Sequence, residues 1–502
     1  MEKKIIAAYD LGTSSVKATL VDVEKGVLAS LDRSYPLDTD GTGKAEQDAD
    51  DWWRAFCDAT QALLADTEPE KIAAVCVSGQ MMVCLPTERG LPLRPAMIWA
   101  DKRAEKQSTK LESCLPEGTH YRLVGMRPTA NYSLPKWMRF REEEPALYER
   151  TDCFLGAKDY IDYRLTGVIA TDEEEAAFTQ AVELKSGNWS RELLQAAEIS
   201  MEKLPSILKC GTILGEVTDT ASKECGLKAG TIVVLGTGDG GAATLGSGTF
   251  RTGDSYISLG TSSWVCTVTN RSDLDPGMSV SKIRYLGGFR DSGTMQSGGY
   301  SLSWLRQTLG LPYERINEMA LGIEPGAGGL LFLPNLMGER APFWDPELRG
   351  SFVGLDSSMN AAHLCRAVPE GVAMQLDFIH RIILRANPGL RVEKMRLVGG
   401  GANSQLWRKV LADVIGLPVV TTDMSFHAGA LGIAVIAGKA CGLLDGYDDV
   451  LRYHRKTLVT EPDAAEHRKY EELREIFLEA RSCLTNVDHR LCEWTKRKDD
   501  VQ

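Results

Sequence analysis

The sequence predicts an α/β protein of two similarly organised domains. Short apolar runs alternate with longer stretches of helical spacing in both halves, the pattern of folds built on parallel strands. The pentapeptide LGTSS occurs twice, at Leu11–Ser15 and Leu259–Ser263, each time between two apolar runs. The length, 502 residues, exceeds what one hydrophobic core ordinarily serves.

The chain opens as strand, tight turn and strand in KKIIAAYD, LGTSS and VKATLVD, with a third strand near Val27–Leu31. In DADDWWRAFCDATQALLADT, apolar residues at 52, 53, 56, 59, 63 and 64 follow a helical period. Asp48–Asp51 supply negative charge where the helix dipole favours it. Trp52 and Trp53 are expected in the core of that helix's contact with the sheet. KIAAVCVSG is continuously apolar, as in a strand covered on both faces. From residue 231, GTIVVLGTGDGGAATLGSGTF reads as strand, glycine-rich turn and small-residue helix. The opening pattern then restarts as SYISL, GTSS and WVCTVTN. A long helix at about 360–387 follows. After it come strand MRLVGGG, helix SQLWRKVLADVIG, strand PVVTT and helix AGALGIAVIAG. The expected division is an N-terminal domain at 1–248, a C-terminal domain at 249–445 and a helical tail at 446–502 packed on the domains. The glycine-rich stretch 246–256 marks the boundary.

Composition narrows the function. Hydrophobic residues make up 43% and charged residues 25%, ordinary for a soluble globular chain. A formal net charge of −12 argues against nucleic acid, whose phosphates would be repelled without a basic patch. The twelve cysteines form no Cys-x-x-Cys and most sit in apolar stretches, so reduced core thiols and a cytoplasmic location are expected. No apolar run reaches the length of a membrane span and the start lacks a signal-peptide core, so no membrane partner is expected. The seven histidines suggest no triad or metal site, and His380 reads as structural.

A turn of Gly, Thr and Ser offers backbone amides and hydroxyls at one point, and glycine removes the Cβ that would keep an anion away. One such turn is weak evidence of a site, since small-residue turns between strands are common. Two, at equivalent places in two similar domains and facing each other across a cleft, could hold both ends of one polyphosphate. Asp10 directly precedes the first turn, where the second copy has Ser258. A carboxylate there would repel phosphate unless a cation such as Mg²⁺ stood between them, held mostly by phosphate oxygens and water. The alternative is an Asp that caps the turn through local amides.

Gly236–Gly241, GTGDGG, satisfies the G-x-G-x-x-G pattern of dinucleotide sites. Asp239 inside the loop opposes that reading, as does the missing acidic residue some twenty positions on. A nicotinamide-dependent dehydrogenase therefore rests on this motif alone. An Asp on a glycine-rich turn suits another task, accepting the proton of an incoming hydroxyl during phosphoryl transfer.

With YDLGTSSVKATLVD, SGQMM, LRPAMIWADKR, AKDYIDYRLTG, GTGDGGAATLGSG, SLGTSSWV, LPNLMGERAPFWDPELRGSFVGL, LVGGGANSQLWRKVLADVIGLPV and GALGIAVIAG in order, the chain resembles the FGGY carbohydrate kinases over about residues 4–480, most closely the xylulokinase branch. The resemblance implies two ribonuclease-H-like, actin-like ATPase domains flanking a central cleft, with ATP, Mg²⁺ and a sugar or polyol acceptor. It implies Asp239 as catalytic base and Asp10 beside the phosphates and Mg²⁺, holding the ion through water. It implies Gly12, Thr13, Ser14, Gly260 and Thr261 as phosphate turns, and Gly400, Gly401 and Ala402 as the adenosine-side loop. A homodimer is among the assemblies found in the family.

The acceptor side departs from the family. Where xylulokinases read Gly-Gln-Met-His-Gly, this chain has Gly79, Gln80, Met81, Met82 and Val83. Methionine cannot donate to a hydroxyl, and a lost neutral hydrogen bond costs about 0.5–1.5 kcal/mol. Simple apolar packing at a strand end is the other reading of Met81 and Met82. The family's Ser-Asp-x-Ser-x-Ala segment is also altered, to Thr171, Asp172, Glu173, Glu174, Glu175, Ala176 and Ala177. Trp99 and Asp101 match positions lining the family's sugar site, although Trp99 also suits a core. The expected activity is phosphorylation of a ketose, a pentulose such as xylulose. The alternatives are a hexulose, sugar acid or polyol acceptor, or a non-catalytic actin-like nucleotide or sugar switch. Glu339 and Arg340 are expected to pair and shape a loop.

Overall fold

The computed structural model describes residues 3–424 and 427–499. The chain forms two compact units. One comprises Met1–Phe250, Lys282–Phe289 and His427–His454, and the other Arg251–Ser281, Arg290–Phe426 and Arg455–Gln502.

The first unit is built on β1 (Ile5–Leu11), β2 (Ser15–Asp22), β3 (Gly26–Ser34), β4 (Ile72–Gly79), β5 (Ile213–Glu216) and β6 (Ile232–Val234). They form one sheet in the order β5-β6-β4-β1-β2-β3. β1 pairs antiparallel with β2, so the first LGTSS turn closes a hairpin, and parallel with β4. β6 runs parallel to β4 on its other side. Every residue of β4 is buried, as its unbroken apolar run requires.

Helix Ala49–Leu64 covers one face. Asp48 caps it by accepting the Asp50 amide, and the helix buries Trp52, Trp53, Phe56, Ala59 and Leu63. Phe56 packs on Tyr9 of β1 with ring centroids 4.2 Å apart. Burying one such side chain contributes about 1.5–3 kcal/mol. Helix Ala428–Ala440 packs on β1 and β4 and against helix Asp239–Gly246. A Cβ on Gly246 would fall 1.6 Å from the Ala428 carbonyl oxygen, and one on Gly432 would fall 2.0 Å from that of Ala242. Only glycine permits that approach.

The second unit repeats the plan with β7 (Ser255–Leu259), β8 (Ser263–Thr269), β9 (Gly288–Met295), β10 (Met395–Val398), β11 (Val419–Thr422) and β12 (Thr457–Thr460). Its sheet contains the order β9-β8-β7-β10-β11-β12. β7 pairs antiparallel with β8 and parallel with β10, as β1 does with β2 and β4. The repeated pentapeptide thus marks a repeated hairpin beside a parallel strand. The long helix Ala361–Ala386 fills the core and accommodates Pro369 in its interior. The terminal helix Ala464–Asp499 buries Tyr470 and Phe477 in the same core.

Glu339 is buried and organises its loop through N–H donors: the amides of Gln296 and Arg340 and the side chains of Asn335 and Gln375. Burial pushes its pKa up to about 7 against those donors. All twelve cysteines are free thiols. Among the described residues no helix is long and apolar enough to cross a membrane, and no group of three or more His, Cys, Asp or Glu could hold a metal.

Candidate active site

The first LGTSS turn stands at the carboxyl end of β1. The Gly12 amide donates to the Ser15 carbonyl at 3.0 Å, and the Gly12 carbonyl accepts from the Tyr35 hydroxyl. Gln47 Nε2 donates to the Thr13 carbonyl at 2.7 Å, and Trp99 Nε1 donates to Thr13 Oγ1 at 2.8 Å. The turn is therefore held from beneath, while Ser14 is left exposed at its tip.

Asp10, the residue before it, pairs in register with Ser78 of β4, whose hydroxyl donates to Oδ1 at 2.9 Å. Oδ2 has no hydrogen-bond partner among the described residues and lies 3.3 Å from where a Cβ on Gly429 would stand. Burial raises the Asp10 pKa, and the Ser78 hydrogen bond and Lys17 oppose that rise. One carboxylate with one open oxygen fits a cation held chiefly by phosphate and water, and not one caged by protein ligands.

Asp239 begins helix Asp239–Gly246 at the carboxyl end of β6 and is exposed. Its Oδ1 accepts the Gly240 amide at 2.6 Å. The glycines around it answer to neighbours and not to a dinucleotide. A Cβ on Gly236 would lie 2.0 Å from the Val77 carbonyl oxygen. One on Gly238 would lie 2.0 Å from Met81 Sδ, and one on Gly241 1.7 Å from Glu174 Oε2. Met81 is accordingly buried against the turn that carries Asp239.

Behind this turn lies a buried acidic cluster. Lys158, fully buried, pairs with Asp159 at 2.6 Å and Asp172 at 2.9 Å. Burial disfavours the Lys158 charge, but Asp159 and Asp172 hold its pKa well above the usual lysine range. Asp172 caps helix Glu173–Ala177 by accepting the Glu174 amide. The Thr237 hydroxyl stands 2.9 Å from Asp172 Oδ2 and 2.7 Å from Glu174 Oε2. Burial drives the pKa values of Asp162 and Glu175 far up, with Asp159 adding to the rise at Glu175. The altered Thr171–Ala177 segment therefore supplies Asp172, Glu174 and Glu175 to the cluster under the Asp239 turn, and helix Ala157–Thr166 supplies Asp159 and Asp162.

On the remaining side, Met82 is half-buried with φ of 63°. Trp99 is 41% exposed, so it is no core residue. Asp101 is placed differently from the expectation of an open acceptor of hydroxyl hydrogens. It is fully buried, and its two oxygens accept from the Ala45 amide and from the backbone and guanidinium of Arg103. Burial works against its charge, and these donors prevail and hold its pKa below the usual carboxylate range.

The second unit contains a cavity of about 500 Å³ lined by Gly260, Thr261, Gly299, Ser303, Tyr313, Asn317, Gly400, Gly401, Ser404 and Trp407, among others. Helix Gly299–Leu309 supports the second LGTSS turn: the amides of Gly299 and Tyr300 donate to the carbonyls of Gly260 and Thr261 at 2.8 and 3.1 Å. Ser303 Oγ and Tyr313 Oη are 2.7 Å apart on one wall. A Cβ on Gly401 would meet Leu259 Cδ2 at 2.1 Å, whereas one on Gly400 would meet nothing within 4 Å. Ala402 is buried beneath the loop and does not line the cavity. The open, glycine-floored shape with hydroxyl and amide groups fits a nucleoside. Ser303, Tyr313, Asn317 and Trp407 escaped the sequence reading, although Tyr313 and Asn317 stand four apart on one helix face.

The model of the N-terminal domain of the FGGY family of carbohydrate kinases matches residues 5–246, and that of its C-terminal domain matches residues 255–441. The chain is 30% identical over 487 residues to a xylulose kinase from Bacillus subtilis, covering 94% of this chain and 96% of that protein. It is 28% identical over 508 residues to a gluconokinase from the same organism, covering 97% of each. The crystal structure of a gluconate kinase from Lactobacillus acidophilus superposes with a TM-score of 0.90 at 27% identity, covering 96% of this chain and 98% of that one. The expected α/β fold of actin-like ATPase type is borne out by these likenesses.

Proposed function

The chain belongs to the FGGY family of carbohydrate kinases, ATP-dependent phosphotransferases with an alcohol group as acceptor, and on that premise we propose that it phosphorylates a hydroxyl of a neutral ketose, a pentulose such as xylulose. The observation that carries this reading is the placement of Asp239: an exposed carboxylate on a turn stripped of side chains, with Met81 and Glu174 packed behind it.

Asp239 accepts the proton of the attacking hydroxyl, assistance worth about 10²- to 10⁴-fold in rate. The N-terminal portion, residues 1–248, serves the acceptor and the transferred phosphoryl, with Gly12, Thr13 and Ser14 as hooks. Residues 249–445 serve the nucleotide: Gly260 and Thr261 at the phosphates, Gly400 and Gly401 along the adenosine, and Ala402 supporting them from beneath. Asp10 would hold Mg²⁺ through water, and the ion would neutralise phosphate charge. Met82 and Trp99 face the acceptor, and Trp99 also steadies Thr13 through its indole N–H. Asp101 acts one step removed, fixing Arg103 and Ala45 behind Trp99.

A sugar acid is the second reading, favoured by the gluconokinase relative. Asp159, Asp172 and Glu174 beneath the Asp239 turn, set against the ammonium of Lys158, disfavour an anionic acceptor. ADP release should be measured with xylulose, ribulose, fructose, gluconate and glycerol. The highest kcat/KM is expected for xylulose. A higher value for gluconate would transfer the assignment to sugar acids, and no ADP with any acceptor would leave the non-catalytic switch.

A further inference from the structure

Lys136 lies in helix Ser133–Glu143 and is fully buried, yet among the described residues it makes no ion pair. Its ammonium instead donates to three backbone carbonyls: Met82 at 2.8 Å, Ile98 at 2.6 Å and Asn131 at 2.6 Å. Three hydrogens meet three acceptors, so the group is satisfied in full. An interior charge is costly to keep, and a carbon side chain of similar length would fill the same volume. What the ammonium adds is a tie between three stretches of chain remote from one another in sequence.

Two of those stretches carry the residues placed at the acceptor. Met82 adopts a left-handed backbone that L side chains resist, and Lys136 holds its carbonyl. Ile98 precedes Trp99, whose carbonyl accepts from Asn131 Nδ2 at 2.8 Å and whose indole donates to Thr13 at 2.8 Å. The line from Lys136 therefore reaches the first phosphate turn.

We propose that Lys136 is a positioning residue that sets the acceptor side of the site by pinning the segments around Met82, Trp99 and Asn131 to one ammonium. The part that concerns acceptor binding rests on the kinase reading above. The clamp itself does not. Charged and titratable groups near it are Asp101, already paired with Arg103, and the buried Cys84 thiol. Burial pulls the Lys136 pKa down to about 7, and Cys84 and Asp101 oppose that pull.

The test compares Lys136→Met with Lys136→Arg in the full chain, with ADP affinity as the internal control. In Lys136→Met the acceptor KM is expected to rise at least about tenfold while kcat falls less and ADP affinity holds. Amide hydrogen exchange at 81–83, 97–100 and 129–132 is expected to speed up while the strand 5–9 stays protected. Lys136→Arg, which keeps charge and donors, is expected to recover part of both effects. Where Lys136→Met does not fold, Lys136→Gln, with two N–H donors, is expected to show an intermediate change. A folded variant with wild-type acceptor KM and wild-type exchange in those segments overturns the proposal. Should no acceptor be phosphorylated, the kinase reading fails and the exchange measurement alone decides the clamp.

Discussion

The sulfur of Met81 occupies the space a side chain at Gly238 would need: a Cβ there would lie 2.0 Å from Sδ and 2.7 Å from Cγ. The residue before Asp239 is thus locked against the end of β4, and the aim of Asp239 depends on that fit. Gly238→Ala is expected to displace the turn and cut turnover at least about tenfold, with a packing cost of about 1–3 kcal/mol. Met81→Ala introduced alongside should recover part of the loss by reopening the space. Turnover and melting temperature of the single and double variants check this, and a fully active Gly238→Ala would contradict it.

Asp239 itself makes a sharper case. Its side chain is exposed and Oδ1 accepts the next amide, so the isosteric Asp239→Asn changes charge with little change in packing. The variant is expected to fold and bind ADP as the parent does, and to lose at least about 10²-fold in turnover. Turnover within a few-fold of wild type would remove Asp239 from the proton transfer.

Both cases turn on residues whose identity was legible in the sequence and whose surroundings were not. The two hairpins could be read because turn residues and strand periods are local signals, and the repeat of LGTSS doubled them. Asp239 stood out for the same reason. What the glycines beside it accommodate is not a local signal, because their neighbours, Val77, Met81 and Glu174, are distant in sequence. Asp101 was legible as an acid near a Trp, but its burial depends on Ala45, more than fifty positions away. Lys136 gave no signal at all. A lysine in a helix reads as a solvated face until the carbonyls of Met82 and Ile98 are found around it.

Gly400 and Gly401 are neighbours that should fail in different ways. A Cβ on Gly401 would collide with Leu259 at 2.1 Å, so Gly401→Ala is expected to cost about 1–3 kcal/mol of stability. A Cβ on Gly400 would meet nothing within 4 Å but would project into the cavity of the second unit. Gly400→Ala is expected to melt as the parent does and to bind ADP about tenfold more weakly. Calorimetric titration with ADP, set beside thermal unfolding, separates the two. Equal ADP affinity in Gly400→Ala and wild type would place the nucleoside elsewhere.

Acid should destabilise the protein through its buried histidines, with a sign that follows from burial. His120 and His380 are each 3% exposed, and burial, the largest cause for both, lowers their pKa values to about 4. The unfolded chain takes up these protons near pH 6.5, whereas the folded chain resists until about pH 4. Between those values the unfolded state binds more protons, so stability rises with pH across the window and is lost as pH falls through it. Each histidine contributes an order-of-magnitude effect of about 3 kcal/mol over the full window. His380 Nδ1 has no hydrogen-bond partner among the described residues, so His380→Phe removes a titrating group without orphaning a partner there. Urea unfolding at pH 7, 5.5 and 4.5 should give a shallower fall for His380→Phe than for wild type, because one of the two protons is gone. Parallel curves would mean that His380 takes up its proton at the same pH in the folded and the unfolded chain, and that burial in the long helix does not resist its charge.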